Sequence, residues 1–381
     1  MVIEAVALLR GPGAIPGEAQ ALIEEARRRA RRRRHRGAAT VALLLAGATV
    51  GYAVGGGGAP ADRAAAGRPS APLLRPRVTA RIALKSALDL AGGFGAVWVA
   101  QVGSVARVEE TGAHVLTSIR TPAVGEDGHI AAGQGSVWVT SGRDGGPVYR
   151  IDPRTDRVTA TVNVGGSVIG IAAGGGWVWV TRVTAASGSG EVLRIDPNSN
   201  RVTGTPITVG PGPAQLSVGS GAVWVQNTSP TSVMRIDLGT GHVSTIVGTD
   251  STSNGSFVVG AIAAGDGSLW TVRNDVLARW DPGTRALIAT VSIARAELVA
   301  ATRRGVWVLA APSSSSPTLF SPIERTAALW EVDPRRNRIL GRPLALNGPV
   351  ALALSAGRVW VVDHNYRSGA TTLLALAPAR S

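Results

Sequence analysis

Hydrophobic and polar positions alternate in short runs from residue 77 onward, in the pattern that half-buried β-strands produce. The clearest run is Val-Trp-Val after a glycine turn, as in "GQGSVWVT" from Gly133, with near-copies from Gly93, Gly174 and Gly219. The tryptophan of this phrase recurs at seven positions: Trp98, Trp138, Trp179, Trp224, Trp270, Trp307 and Trp360. Short strands that recur every 37 to 53 residues are typical of propeller blades.

A second phrase follows most copies of the first, as in "YRIDPRTDRVTATVNVG" from Tyr149 and "LRIDPNSNRVTGTPITVG" from Leu193. Each repeat therefore predicts four strands, which we name a ("GIAAG"), b ("VWVT"), c ("VYRID") and d ("RVTATVNV"). Seven repeats predict an all-β, seven-bladed β-propeller over residues 77–381.

The two ends of the repeat region test this prediction. "RVTARIAL" from Arg77 matches strand d of a later repeat but has no blade of its own, and the last repeat ends after its strand c. In a closed ring the N-terminal strand would complete the last blade, which removes an exposed sheet edge.

These phrases resemble the YVTN-type seven-bladed β-propellers, also called surface-layer or forty-residue-repeat propellers. The resemblance rests on "GxVWVT" and "RIDPxTxRVxATxxVG" and covers roughly residues 77–381. At the level of single blades the chain is also similar to streptogramin B lyase and to quinoprotein dehydrogenases. The resemblance implies the fold and not an activity, because members share the blade architecture rather than an active site.

The front of the chain predicts a membrane anchor. The segment "EEARRRARRRRHR" from Glu24 is rich in arginine. The 18 residues that follow, 37–54, carry no charge, and a helix of this length is just long enough to cross a bilayer core of roughly 30 Å. Because arginines flank only the N-terminal side, residues 1–36 are expected in the cytoplasm and the C-terminal bulk outside. Cleavage of a signal peptide near "APA" at residues 59–61 is the alternative.

The predicted organisation is thus a basic cytoplasmic segment (1–36), a transmembrane signal anchor (37–54), a Gly/Ala/Pro linker (55–76) and an extracytoplasmic propeller (77–381). The net charge of +14 divides into +7 for residues 1–76 (12 Arg, 5 acids) and +7 for residues 77–381 (27 Arg and Lys, 20 acids). A charge of +7 is small for the 305 residues of 77–381, and basic and aromatic residues do not alternate there. Both facts disfavour nucleic-acid binding.

The recurring residues are assigned to structure rather than to chemistry. Strand alternation places each tryptophan on one face of its blade and the two valines on the other, so both are expected to pack between blades. The aspartate of "RIDP" is expected to accept backbone N–H groups of the c–d turn, and the arginine before it to be solvated or to pair at an edge. The chain has no cysteine, and its five histidines follow no metal-binding spacing, so no metal or other cofactor is expected.

The residues that do not repeat are the candidates for binding. In antiparallel blades the a–b and c–d turns share one face of the disc, which we call the turn face, and the b–c and d–a loops share the other, the loop face. The variable loops lie on the loop face, where a scaffold usually carries function. The candidates for a ligand site there are Glu126, Asp127, His129, Arg143, Arg182, Gln215, Asn254, Arg295, Glu297, Asp363, His364 and Tyr366.

Three functions are compatible with this sequence. The favoured one is a binding module that uses the loop face to hold a protein, polysaccharide or small ligand outside the membrane. The first alternative is a lyase- or hydrolase-like enzyme with a site at the mouth of the central channel; in a site of the streptogramin-lyase kind, only His129, Glu126, Glu297 and His364 could contribute. The second alternative is a nucleic-acid-binding propeller.

Overall fold

The structure is a computed structural model. It describes residues 75–111, 114–142, 146–183, 190–228, 231–247, 259–265, 267–273, 275–302, 304–310, 327–365 and 367–378. All of them belong to one compact unit, Pro69–Ser381. The predicted basic segment, the predicted transmembrane helix and nearly all of the predicted linker lie outside the described residues. Within the described part, no helix has the length and apolar character needed to cross a membrane.

Seven antiparallel sheets confirm the seven predicted blades. The first strand, β1 (Arg77–Leu84), belongs to blade 7. Blades 1 to 3 consist of β2 (Asp89–Gly93), β3 (Ala96–Gln101), β4 (Ser104–Glu109), β5 (Val115–Arg120), β6 (Ile130–Gly133), β7 (Ser136–Thr140), β8 (Val148–Asp152), β9 (Arg157–Val162), β10 (Ser167–Gly174), β11 (Trp177–Val183), β12 (Gly190–Asp196) and β13 (Arg201–Gly210). Within each of these three blades, strands a to d follow one another in sequence order.

Blades 4 to 7 continue the same order. They consist of β14 (Pro213–Gly219), β15 (Ala222–Thr228), β16 (Thr231–Asp237), β17 (Val243–Val247), β18 (Val259–Gly265), β19 (Ser268–Arg273), β20 (Val276–Trp280), β21 (Leu287–Ser292), β22 (Ala296–Ala301), β23 (Val306–Ala310), β24 (Ala327–Asp333), β25 (Arg338–Ile339), β26 (Leu344–Leu346), β27 (Pro349–Ser355), β28 (Arg358–Asn365) and β29 (Ala370–Ala377). In blade 6, β25 and β26 both pair with β24, so the predicted single strand d is broken. Pro343 lies in the break, where it has no N–H to give to a ladder.

The ring closes as the sequence predicts. The last sheet has the order β1-β29-β28-β27, so the N-terminal strand is strand d of blade 7. A second contact closes the ring on the turn face, where the Arg358 guanidinium of blade 7 donates to the Glu110 carbonyl of blade 1 at 2.7 Å and Ser355 hydrogen-bonds the Glu110 carboxylate. Blade 7 is therefore joined to both ends of the repeat region.

The innermost strands of adjacent blades approach each other very closely. A Cβ added to Gly170 would lie 2.3 Å from the Ala214 carbonyl oxygen of blade 4, and one added to Gly92 would lie 2.5 Å from the Leu354 carbonyl oxygen of blade 7. No side chain fits at either position. These glycines let the seven strands a surround a narrow central channel.

The a–b turn explains the glycine that precedes most of the Val-Trp-Val phrases. In blade 2, for example, the two turn residues Gln134 and Gly135 both have positive φ (53° and 76°). Such a pair defines a two-residue type I′ hairpin, whose twist matches that of the strands that it joins. The turn therefore requires a glycine or another residue that tolerates the left-handed region.

The repeated tryptophans pack between blades, as predicted. Trp98 is fully buried and contacts Val137 and Val139 of blade 2, while Val97 and Val99 on the opposite face of its strand pack against Trp360 of blade 7. The Trp98 indole N–H donates to the Gly93 carbonyl at 3.0 Å, so its polar atom is satisfied inside the blade. Trp98 thus forms part of the interblade core and offers no surface to a ligand.

The repeated arginines of strand c do more than the predicted solvated charge. Arg150 pairs across the strands with Trp138, and its guanidinium lies 5.2 Å from the centre of that indole ring. The same guanidinium donates to the Pro197 carbonyl at 2.5 Å and to the Asn200 amide oxygen at 2.8 Å, both in the c–d turn of blade 3. Arg150 therefore ties its blade to the turn of the next blade, a role that depends on blade stacking and so is not visible in a single repeat.

The aspartates of the c–d turns hold the turn backbone, as predicted. Asp237 Oδ1 accepts the backbone N–H groups of Gly239 at 3.0 Å and Thr240 at 2.9 Å. The Thr240 N–H and, after it, the Arg235 guanidinium lower the pKa of Asp237 to about 2. Because the folded-state pKa lies below that of an ordinary carboxyl, this turn is stabilised at neutral pH and loses its stabilisation as the pH falls through about 2.

Candidate functional site

A cavity of about 220 Å³ lies where the first residues of the seven strands a meet, at the loop-face end of the central channel. We call it the channel-mouth cavity. All seven blades contribute to its lining, so it is a feature of the closed ring and of no single blade. It is lined by Leu88, Asp89, His129, Ile169, Gly170, Ile171, Gln215, Leu216, Ala261, Leu298, Val299, Val350, Ala351 and Leu352.

One repeat position supplies the centre of this lining. In every blade, a small residue of strand a lies opposite the repeated tryptophan of strand b, as Ala91 lies opposite Trp98 and Ser217 opposite Trp224. The residue two places earlier faces the cavity in all seven blades: Asp89, His129, Gly170, Gln215, Ala261, Leu298 and Ala351. Only blades 1, 2 and 4 place a polar side chain there, so the cavity is polar on one side and apolar on the other.

Asp89 and His129 form the polar side of the cavity. The His129 Nδ1 atom lies 3.2 Å from Asp89 Oδ2, and the same oxygen accepts the Ile130 backbone N–H at 3.2 Å. The His129 backbone N–H donates to Thr140 Oγ1 at 2.9 Å, which fixes the start of strand a. A carboxylate beside an imidazole sets which ring nitrogen carries the proton. The pair can orient a polar ligand.

β-Bulges shape the cavity lining in blades 3 to 7. Strands β10, β14, β18, β22 and β27 each lose register at their channel end, which leaves one or two residues unpaired. Such a bulge redirects the side chains beside it. Gln215 lies in the bulge of β14 and lines the cavity half-buried. The sequence shows none of these bulges, because they arise where the strands converge.

Glu297 lies in the bulge of β22, next to the cavity residue Leu298. It is half-buried, and among the described residues no cation lies within ion-pairing distance of it. Burial raises the pKa of the Glu297 carboxyl above its ordinary value. A carboxyl whose charge is poorly solvated gains from a hydrogen-bond donor or a cation brought by a ligand.

Three other predicted site residues form hydrogen bonds within the propeller itself. Arg182 bonds the Glu191 carboxylate at 2.5 Å and the Val164 carbonyl at 2.7 Å. Asp363 is buried and accepts the backbone N–H groups of Asn347 and Gly348 at 3.0 and 2.9 Å, so it anchors the chain before β27. His364 Nδ1 lies 3.0 Å from Thr371 Oγ1 on the adjacent strand.

The remaining predicted residues divide into two groups. Glu126 and Asp127 are exposed in the loop between β5 and β6, and Arg295 is exposed in the turn before β22. Arg143, Asn254 and Tyr366 lie outside the described residues, as does most of the variable b–c loop sequence. The structure therefore brings His129 and Gln215 together at the cavity, with Glu297 beside them.

Asp89 is the cavity residue that motif reasoning missed. It begins strand a of the first repeat, whose flanks are degenerate, and it matches no catalytic or metal-binding pattern. Alignment of the repeats on their tryptophans would have found it, because Asp89 occupies the same repeat position as His129 and Gln215.

No group of three or more potential metal-ligating side chains occurs among the residues that the structure describes. The chemistry of the described cavity is that of an acid–imidazole pair, an amide and a half-buried carboxyl on an apolar floor.

Comparison with known proteins supports the fold. No protein-family model matches the chain, and no curated protein matches it. Solved structures do match, and one is described as the extracellular domain of a candidate one-component system, BT4673, from B. thetaiotaomicron. The TM-score is 0.55 at 14% sequence identity over 77% of this chain. The match spans only 40% of the length of the other chain, and at this identity the likeness establishes the propeller fold alone.

Proposed function

We propose that this chain is an extracytoplasmic binding module, anchored by residues 37–54, which holds its ligand at the channel-mouth cavity. One observation carries the proposal: all seven blades converge on a cavity that joins a polar pair, Asp89 and His129, to an apolar wall. Ligand sites of proteins have this composition, a mainly apolar concave surface with a few placed polar groups. The similar solved structure is an extracellular domain, which agrees with a binding module outside the cell.

The size of the cavity limits the ligand. Small-molecule sites commonly enclose about 300–1,000 Å³, and the channel-mouth cavity encloses about 220 Å³. It therefore accepts a small polar molecule, or one sugar unit or side chain of a larger partner that rests on the surrounding loops. We favour a ligand that donates hydrogen bonds, because Asp89, Gln215 and Glu297 all offer acceptor oxygens.

Binding at this cavity predicts a specific pattern of thermal shifts. A panel of monosaccharides, amino acids and short peptides is screened for compounds that raise the melting temperature of the protein, since any ligand of the native state stabilises it. A compound that binds at the channel mouth should lose at least tenfold in affinity for Gln215→Ala and for Glu297→Gln. The matched control is Arg154→Ala, an exposed residue of the turn face.

This proposal fails if the stabilising compounds bind Gln215→Ala and Glu297→Gln as tightly as the unaltered protein. It also fails if Arg154→Ala weakens them equally, because the site would then lie on the other face.

The anchor predicts where the protein is found in cells. The full chain should sediment with membranes and resist extraction by salt and alkali, whereas a chain without residues 37–54 should not. Protease added to intact spheroplasts should degrade the propeller, and immunoblotting of the fractions measures both outcomes. A shortened product in the soluble fraction would show instead that the front segment is cleaved.

A further inference from the structure

The exposed acidic and arginine side chains of the turn face have one sign. Among the residues that the structure describes, every acid of the a–b and c–d turns is half-buried or buried, and most of them hold the turn backbone, as Asp196 does when it accepts the Asn198 N–H at 2.8 Å. The arginines of these turns and of the strand ends beside them are exposed instead: Arg77, Arg154, Arg157, Arg201, Arg285, Arg304, Arg335, Arg336 and Arg338.

These exposed arginines are a surplus. The recurring turn aspartates are matched in number by the strand-c arginines, which are Arg107, Arg150, Arg194, Arg235 and Arg279. The loop face differs, because its exposed charges are of both signs and include Glu126, Asp127, Asp275, Lys85, Arg120 and Arg367. The turn face therefore presents a positive potential that the loop face does not.

Large apolar side chains are exposed among these arginines. Phe94 is 42% exposed in the a–b turn of blade 1, and Leu287 is 51% exposed at the start of β21, next to the c–d turn of blade 5. Ile288 follows Leu287, and Val115 and Leu116 are exposed at the same end of strand d in blade 1. Arginine mixed with exposed apolar side chains fits the headgroup region of a bilayer, which offers both negative charge and apolar contact.

The chain enters the propeller on this same face. Arg77, the first residue of β1, lies opposite Ala377, the last described residue of β29, whereas Leu84 lies opposite Thr371. Because β29 is a strand c, which ends at the turn face, β1 begins there. The predicted linker and the predicted anchor before it are therefore connected to the face that carries the exposed arginines.

We propose that the turn face docks on the anionic lipid headgroups of the membrane, so that the loop face and its channel-mouth cavity point away from the bilayer. The proposal rests on the anchor of the proposed function, which would hold the turn face near the lipid surface. Each arginine near an anionic surface favours docking by about fivefold. Phe94 and the exposed aliphatic side chains add contact with the headgroup boundary, which a nucleic-acid backbone does not offer.

The absence of cysteine allows a clean test, because a single introduced cysteine can carry a fluorophore. The full chain is reconstituted in vesicles of phosphatidylcholine, alone or with one-third phosphatidylglycerol, which contain a lipid with a nitroxide quencher on its headgroup. A fluorophore on Thr155→Cys, exposed on the turn face, should be quenched in the anionic vesicles, and less than half as much in neutral vesicles or at high salt. A fluorophore on Ala123→Cys, exposed on the loop face, should be quenched in neither.

Charge reversal at the turn face should abolish docking. A triple variant, Arg154→Glu, Arg201→Glu and Arg335→Glu, should weaken it at least a hundredfold and reduce quenching at Thr155→Cys to the level of neutral vesicles. All three side chains are exposed, so the melting temperature should not change.

Two further variants separate charge, face and apolar contact. The matched control reverses as many exposed charges on the loop face, with Lys85→Glu, Arg120→Glu and Arg367→Glu, and should leave quenching unchanged. Phe94→Gln leaves the charge unaltered and introduces the residue that the blade 2 turn carries at Gln134 with the same positive φ. It should cause a partial loss of quenching.

Three results would overturn the proposal: equal quenching in the two kinds of vesicle, equal quenching on the two faces, or quenching that the turn-face triple variant leaves unaltered. If quenching is absent and the triple variant instead loses affinity for duplex DNA, the turn face binds a nucleic acid. Failure of the anchor is measured separately, by alkali extraction of the same vesicles, because a docked turn face is quenched whether or not residues 37–54 cross the bilayer.

Discussion

A chain that begins at residue 85 should not form a cooperatively folded propeller, whereas a chain that begins at residue 75 should. The two differ by β1, which pairs with β29 at seven positions and is the only strand in this sheet that comes from the front of the repeat region. Each backbone hydrogen bond contributes about 0.5–1.5 kcal/mol net. Their loss, with exposure of the β29 edge, costs roughly 5 kcal/mol or more, against a total of about 5–15 kcal/mol for a typical protein.

Circular dichroism during heating measures this directly. The longer chain should give one sharp unfolding transition, and the shorter chain a broad one or none. A synthetic peptide of residues 75–86, added to the shorter chain, should restore the transition, because the gap in blade 7 then has its missing strand. If the shorter chain melts as the longer one does, β1 does not close the ring.

Replacement of Trp138 by alanine should lower the free energy of unfolding by about 3–5 kcal/mol, the range found for large aromatic residues in protein cores. The side chain is fully buried between blades 2 and 3, where it packs against Val178 and Val180. Its indole N–H also donates to the Gly133 carbonyl at 3.2 Å. Denaturant unfolding measures the change, which corresponds to a fall in melting temperature of about 5–8 °C.

Trp177→Ala is the matched control. This tryptophan is half-buried and lies outside the repeated position, although Arg194 contacts its ring. Its loss should cost less than half as much. Affinity at the channel mouth should be the same for a folded Trp138→Phe variant as for the unaltered protein. If it falls strongly while stability is retained, the repeated tryptophans have a part in binding that burial does not suggest.

The repeat pattern predicted the fold in unusual detail for reasons of strand chemistry. Alternation of tryptophan and valine predicts two covered faces, and the glycines between strands a and b predict a short turn. The unmatched strand at Arg77–Leu84 predicted closure of the ring, because an incomplete last blade would leave an edge. The broken strand d of blade 6 was missed, although Pro343 marks it.

The candidate site was predicted only in part. His129, Gln215 and Glu297 were selected because they flank the channel end of strand a, and they lie in or beside the channel-mouth cavity. Asp363 was selected because it lies in a variable b–c loop, and it is instead buried as an anchor for the Asn347 and Gly348 backbone. A loop position indicates on which face a side chain begins, but hydrogen bonds to the neighbouring backbone decide whether it remains available.

The sequence by itself determined the blade, the number of blades and the closing strand, because these depend on local periodicity and on turn residues that each repeat contains. The tertiary structure alone decided the channel-mouth cavity. This cavity depends on the convergence of seven strands and on bulges at their ends. Residues hundreds of positions apart meet there only when the ring is complete.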